Sequence, residues 1–374
     1  MTTILIALAA LALTWLLAAT ALSVWSWWHP KADVVHFART ADGWNLALHE
    51  IRPAPGPSPS PRPVILCHGI LMSRACWLPP DGVPSVAEAL RRRGHHLWIV
   101  ELRGSGLSHP TSRDVDRWGY GFLEYADHDV AAIAGEVMRR TGASSVDWVG
   151  HSMGGLVGYA HLARHGPGSI RKMVTLGSPI LLGRAFNRLL APSIAANFLR
   201  WIRSLDLSRL CRVTAPTLLW GGAPWVEQFI HVKEMDRRFA MGLMTWGVQR
   251  TSSKLFQDFF ERQAASGAIF EKVTSEPPPY PAPPGGLLAL YGGRDYMAPA
   301  RSVVRLPEWF PAAQVESVDP PGGRPFGHLD LLAGPKEVEH VAERIDRFLR
   351  GTEVSSSESP RQAESNSPLP ARVP

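Results

Sequence analysis

Ser145-Ser-Val-Asp-Trp-Val-Gly-His-Ser-Met-Gly-Gly-Leu156 is the stretch whose reading decides the rest of the chain. Val146, Trp148 and Val149 make a short buried strand that runs straight into Gly150-His151-Ser152-Met153-Gly154. Leu156, Val157 and Tyr159 then begin a helical pattern. A G-x-S-x-G between a strand and a helix is the setting in which the serine can serve as a nucleophile. The turn is too tight for side chains two residues either side of the serine, so both positions take glycine. The hydroxyl then stands out at the strand end, above the free N–H groups of a helix N-terminus. Composition alone would supply the five-residue pattern on the order of 0.2 times, so its meaning depends on the rest of the chain.

Working outward, strands and helices alternate, which predicts a parallel sheet with crossover helices. Before the motif, Val34–Phe37 and Trp44–Ile51 flank Ala41-Asp-Gly43 as a hairpin, and Pro53–Pro63 is an extended loop. Val64–Cys67 is apolar throughout, as a strand buried on both faces should be. Val83–Arg93 reads as a helix, His95–Val100 as a strand, Arg103–Ser108 as its loop, and Phe122–Arg140 as an amphipathic helix closed by Gly142. After the motif come a strand at Met173–Gly177, strands at Leu287–Tyr291 and Gln314–Val318, and a last helix over Val338–Leu349. Between them, Ile180 to about Pro284 is rich in Leu, Phe, Met and Trp, looks mainly helical, and reads as an inserted cap. Within it, Ala215–Gly222 has the look of a sheet strand.

A serine hydroxyl needs a base to take its proton and a carboxylate to orient that base. Behind a strand-borne serine the expected chain order is acid, then histidine, each on a loop after a strand. Asp295 follows the strand Leu287–Tyr291, and His328 follows the next strand, so both stand where they should. Asp330 is too close to His328 to occupy a separate loop and reads as a helix cap or a local hydrogen-bond partner. The oxyanion donors fall by position on the N–H groups of Met153, after the serine, and Ile70, after His68-Gly69. His68 and Gly69 shape that loop, and Trp77 is either the floor of an acyl pocket or a core residue.

Thr40-Ala-Asp-Gly43, His68-Gly69, Arg103-Gly-Ser-Gly-Leu-Ser108, Gly150–Gly154, Gly293-Arg-Asp295 and Gly327-His328 together resemble the α/β-hydrolases, nearest in layout to the esterase/lipase branch with the acid lipases. The resemblance covers Val34 to Leu349 except the cap. It implies an α/β fold with an eight-stranded, mostly parallel sheet, a Ser-His-Asp triad, and neither metal nor organic cofactor. A serine at position 152 sets the chain apart from haloalkane dehalogenases and epoxide hydrolases, which use aspartate there, and from polyester synthases, which use cysteine.

The full chain has 374 residues, 45% of them apolar, and a formal charge of +6. No stretch combines dense Lys/Arg with aromatics, and Arg91-Arg92-Arg93 reads as a solvated helix end, so nucleic acid is not an expected partner. Cys67, Cys76 and Cys211 are too few and scattered for a disulfide framework or zinc site, although a Cys67–Cys76 bridge stays open. Residues 4–28 carry no charge and end in Trp25, Trp27 and Trp28, which reads as a membrane anchor rather than a cleaved signal peptide. The first cations, Lys31 and Arg39, follow that segment and lean the body toward the cytoplasmic side. The expected division is therefore 1–30 anchor or signal segment, 31–179 and 286–350 hydrolase core, 180–285 cap, and 351–374 disordered tail. The expected function is hydrolysis of a small-molecule carboxylic ester, lipid-like or apolar in its acyl part, through Ser152, His328 and Asp295. Acyl transfer by the same acyl-enzyme and a membrane-tethered binding protein on the same fold are the alternatives.

Overall fold

A computed structural model describes residues 2–180, 199–220, 235–266, 278–334 and 336–351. Its centre is a sheet of eight strands: β1 (Val34–Arg39), β2 (Trp44–Ile51), β3 (Val64–Cys67), β4 (Leu97–Val100), β5 (Val146–His151), β6 (Ile170–Leu176), β7 (Leu287–Tyr291) and β8 (Ala313–Ser317). They lie in the order β1-β2-β4-β3-β5-β6-β7-β8. The first two pairings, β1 with β2 and β2 with β4, are antiparallel, and every later one is parallel. A ninth two-residue strand, His109–Pro110, pairs with the start of β2 and adds to the eight expected.

The apolar runs form strands because each must feed two cores. On β5, Trp148 joins the core on one face of the sheet and Val149 the core on the other. On β7, Leu287 and Ala289 go to the first core and Leu288 and Leu290 to the second, the two-residue alternation of a pleated strand. Helices α3 (Val130–Thr141) and α4 (Met153–His165) cover the first face through Ile133, Val137, Leu156 and Val157. Helix α2 (Val86–Arg92) and the last helix, Val338–Arg350, cover the second through Val86, Leu90, Val341 and Ile345. Trp77 lies wholly buried in this second core, so its place is packing.

Several boundaries differ from the sequence expectation. Helix α2 starts at Val86, three residues late, because the Ser85 hydroxyl accepts from the Glu88 N–H and caps it there. The strand expected from His95 begins at Leu97. The helix from Phe122 runs on to Thr141 but passes through a π-turn at Tyr125–Asp129 before α3. Ala215–Trp220, expected as a sheet strand, is a 3-10 helix outside the sheet, while Gly221 and Gly222 lie outside the described residues. The described parts of the insertion between β6 and β7 are mainly helical: α5 (Ser208–Thr214), α6 (Arg237–Gly242) and α7 (Ser253–Ser266). The tail beyond Gly351 is likewise outside the description. All three cysteines are free thiols, so no Cys67–Cys76 bridge forms. Arg91, Arg92 and Arg93 pair with Glu88 and Glu339 at the end of α2.

Thr2–Trp25 is one helix, α1, long and apolar enough by length and composition to cross a membrane. Its second half is docked on the body. Ala19, Ser23, Ser26 and Trp28 are buried, and α1 packs on α5, the Ala215–Trp220 turn and α6.

A buried guanidinium ties three separate loops together. Arg103, in the loop after β4, donates from Nε at 2.9 Å and Nη2 at 2.6 Å to Asp129 Oδ1 in the π-turn. Its Nη1 and Nη2 also donate to Asp42 in the β1–β2 turn, at 2.5 and 3.1 Å. Burial works against the Arg103 charge, but the two carboxylates outweigh it and raise its pKa. Arg103→Met leaves Asp129 buried without its partner, and we expect a loss of about 3–5 kcal/mol. Urea denaturation should read this as a lower midpoint with an unchanged slope; an unchanged midpoint would refute the tie.

Candidate active site

Register brings the ends of β3, β5 and β6 level, with Gly150 opposite Cys67 on one side and Thr175 on the other. The chain turns from β5 into α4 at Ser152, which holds φ 51° and ψ −119°. A non-glycine residue at positive φ is strained, and such strain gathers at functional turns. The flanking glycines are a matter of space. A Cβ on Gly150 would stand 2.5 Å from the Gly154 carbonyl, and one on Gly154 would stand 2.5 Å from the Cys67 carbonyl oxygen. Any side chain at either position would push the helix off the strand.

The residues expected from sequence come together here. Ser152 Oγ donates to His328 Nε2 at 3.0 Å, and His328 Nδ1 donates to Asp295 Oδ2 at 2.8 Å. All three side chains are buried. Asp295 Oδ1 accepts from the N–H groups of Met297 and Ala298 at 2.9 and 2.7 Å, which fixes the carboxylate with Oδ2 toward the imidazole. Gly177, at the end of β6, makes room for this pair: with φ 53°, its Cβ would lie 2.7 Å from Asp295 Oδ2. Asp330 accepts from the Gly327 N–H at 3.0 Å, so it is the local partner expected beside His328.

Met153 is the first residue of α4, where the N–H has no partner in a preceding turn. Ile70 follows Gly69, whose Cβ would meet Ser152 Cβ at 3.1 Å, so the β3 loop runs directly alongside the serine. His68 holds that loop: its Nδ1–H donates to the Gly69 carbonyl at 2.8 Å and its Nε2 accepts from the Leu102 N–H at 3.2 Å. Leu199 and Phe256 of the insertion pack with Ile70, Leu71 and Leu205 into a small apolar cluster beside the site. Among the described residues no group of His, Cys, Asp and Glu could hold a metal ion.

Two features were missed by reading the sequence. His151, the variable residue of the motif, donates from Nε2 to the His328 backbone carbonyl at 3.0 Å, and its ring lies tilted against the His328 ring with centroids 4.7 Å apart. Burial, and then the neighbouring His328, drive its pKa well below the usual histidine range, so it stays neutral. Its place inside the motif was the only signal available. The second feature is Glu101, at the end of β4. It accepts from His49 Nε2 at 3.1 Å, Arg74 Nη1 at 2.9 Å and the Leu107 N–H at 2.8 Å. Arg74 lies just beyond Ile70, so Glu101 pins the far end of the same loop.

Burial alone would raise the Glu101 pKa, but the hydrogen bond and charge of His49, with Arg74 and the Leu107 N–H, bring it down to about 2. A depressed carboxylate stabilises the fold above its unfolded pKa, and that stability disappears as pH falls through the folded value. The depression is worth about 3 kcal/mol at neutral pH. Glu101→Gln is therefore expected to lower stability at pH 7, with the gap to wild type closing between about pH 4.5 and about pH 2. Denaturation curves across that range test it; a gap that does not depend on pH would contradict the assignment.

The family model for the alpha/beta hydrolase fold matches residues 62–330. Among curated relatives, gastric triacylglycerol lipase of Bos taurus is 29% identical over 142 residues, covering 36% of this chain and 35% of the lipase. Lipase member K of Homo sapiens is 26% identical over 145 residues, covering 37% of this chain and 35% of its own length. The chain thus spans about a third of the length of these relatives. Among solved structures, a soluble variant of monoglyceride lipase from Saccharomyces cerevisiae superposes with a TM-score of 0.58 at 15% identity, covering 87% of this chain and 97% of that one. An esterase from Exiguobacterium antarcticum gives 0.52 at 17% identity, covering 85% and 100%. At these identities the two structures speak for the fold alone.

Proposed function

The chain belongs to the alpha/beta hydrolase fold family, and from that premise we propose that it is a serine hydrolase acting on carboxylic esters with apolar acyl groups. The observation that carries the reading is the hydrogen-bonded series Ser152–His328–Asp295, with the serine on a strained turn at the end of the central strand. Ester-cleaving names among the relatives support the same class.

In the proposed reaction Ser152 Oγ attacks the ester carbonyl carbon while His328 Nε2 takes the hydroxyl proton. Asp295 keeps the imidazole in the tautomer that presents Nε2 to the serine and stabilises the imidazolium that forms. The carbonyl oxygen becomes an oxyanion, and the N–H groups of Ile70 and Met153 are the proposed donors to it. When the intermediate collapses, His328 gives the proton to the departing alcohol, leaving Ser152 acylated. Water, activated by the same histidine, then releases the carboxylic acid. His151 acts on geometry: its bond to the His328 carbonyl steadies the loop that carries the base.

The apolar acyl preference is supported by the cluster of Leu199, Phe256, Ile70, Leu71 and Leu205, in which the insertion packs on the loop whose Gly69 runs alongside the serine. We read the residues between β6 and β7 as the cap over the site and α1 as a membrane anchor. Docking supports the anchor, since α1 buries Ala19 and Ser23 against the body and the residues that follow it bury Ser26 and Trp28.

Ser152→Ala is expected to lower kcat on a short-chain nitrophenyl ester by about three to six powers of ten, with the fold intact by circular dichroism. Asp295→Asn should cost about four powers of ten by favouring the wrong imidazole tautomer. Full activity of Ser152→Ala would end this reading.

A further inference from the structure

The contact between α1 and the insertion is built like a permanent interface. Trp15, Ala18, Ala19, Leu22, Ser23 and Ser26 recur at helical spacing on one stripe, and they are the buried or half-buried positions of an otherwise exposed helix. Small residues on that stripe let backbones approach, and Gly242 of α6 completes the fit, because a Cβ there would collide with the Trp28 ring. Trp15 Nε1 donates to the Val213 carbonyl at 2.7 Å, Trp246 Nε1 donates to the Ser23 carbonyl at 2.8 Å, and the Ser26 and Thr245 hydroxyls bond at 3.0 Å. Trp27 and Trp246 meet edge to face at 4.8 Å.

This docking restricts how α1 can enter a bilayer. At about 1.5 Å per residue, Trp15 lies about 15 Å along the axis before Trp25. Within α1, residues 2–14 ahead of the docked stripe extend about 20 Å, so this helix reaches the roughly 30 Å of a hydrocarbon core only with residues from Trp15 onward included. If α1 spans, the stripe from Trp15 onward must also lie in lipid, and whatever is bonded to Trp15 goes with it. That is the end of α5. Its outer face offers Leu210, 61% exposed, and Val213, 42% exposed, three residues apart on one side of the helix. Of its cations, Arg212 is turned inward, donating to the Thr245 carbonyl at 2.7 Å and lying over the Trp246 ring, while Arg209, in the first turn, is exposed, faces Asp206 at 3.9 Å, and has a long stem that can carry its charge to the headgroups.

We infer that α5 is a second membrane element, seated with α1 in the acyl region of one leaflet through Leu210 and Val213. This rests on the reading of α1 as an anchor, and it makes the lipid leaflet the source of the ester. An apolar segment of the cap held in lipid brings the site to its substrate at the bilayer surface, without release of that substrate into water.

Full-length protein in phosphatidylcholine–phosphatidylglycerol vesicles tests it, with an environment-sensitive NBD label on Leu210→Cys in a Cys211→Ser background. The inference predicts quenching by doxyl groups on the lipid acyl chains and shielding from aqueous iodide. Quenching by iodide without quenching by the acyl-chain probes would overturn it. Val213→Cys reads the same face if the first variant does not fold. In parallel, Leu210→Asp with Val213→Asp should lower kcat/KM at least tenfold for a long-chain ester in vesicles and leave a soluble short-chain ester unaffected. Equal effects on both substrates, or none on either, would also overturn it. Failure of the wild type to cleave any ester would count against the hydrolase reading alone, since the label reports lipid contact without turnover.

Discussion

Backbone crowding at the end of β5 is the constraint from which the site follows. Gly154 rests on the Cys67 carbonyl at the end of β3 and the His68 carbonyl just after it, and Gly150 rests on the first turn of α4, with no space for a β-carbon at either point. That contact forces the chain through a positive φ at Ser152. It presents the hydroxyl at the rim of the sheet and aims the start of α4 at the same spot. The neighbouring strands end level with it, so the loops after β3 and β6 and the later acid and base loops converge there. Strain at one residue is tolerable because the parallel strands on both sides over-determine the turn.

The loops themselves are held by buried charge. Glu101 fastens the segment beyond Ile70, and Arg103, two residues later, joins the β1–β2 turn to the π-turn ahead of α3. In each network, a buried carboxylate accepts from several cationic, imidazole or backbone donors, the condition under which buried charge is tolerated. Both networks stem from the end of β4, so this central strand serves the site without contributing a reacting group.

Strand assignments were legible in the sequence wherever a run had to be apolar on both faces, as in Val64–Cys67 and Leu287–Tyr291. Ser152 and Asp295 could be picked out because each follows a strand closely, and His328 because it comes after the next strand, in the order along the chain that the chemistry expects. Ala215–Trp220 was not, since a short apolar run has the same periodicity in a strand as in a packed helical turn. Its partner is α1, some 200 residues earlier, rather than the sheet. The docking stripe on α1 was hidden for a similar reason: a helix that is apolar all round shows no contrast to mark the face in contact with protein. His151 and Glu101 act through residues far away in sequence, and no local pattern announces such partners.

Ser152 is the group that must react if this site cleaves esters. Treating the full-length protein with an alkyl fluorophosphonate and mapping the adduct by peptide mass spectrometry tests this directly. One stoichiometric adduct on the peptide containing Ser152, lost in His328→Ala, is the predicted result. An unmodified Ser152, or an adduct on a different residue, would contradict it.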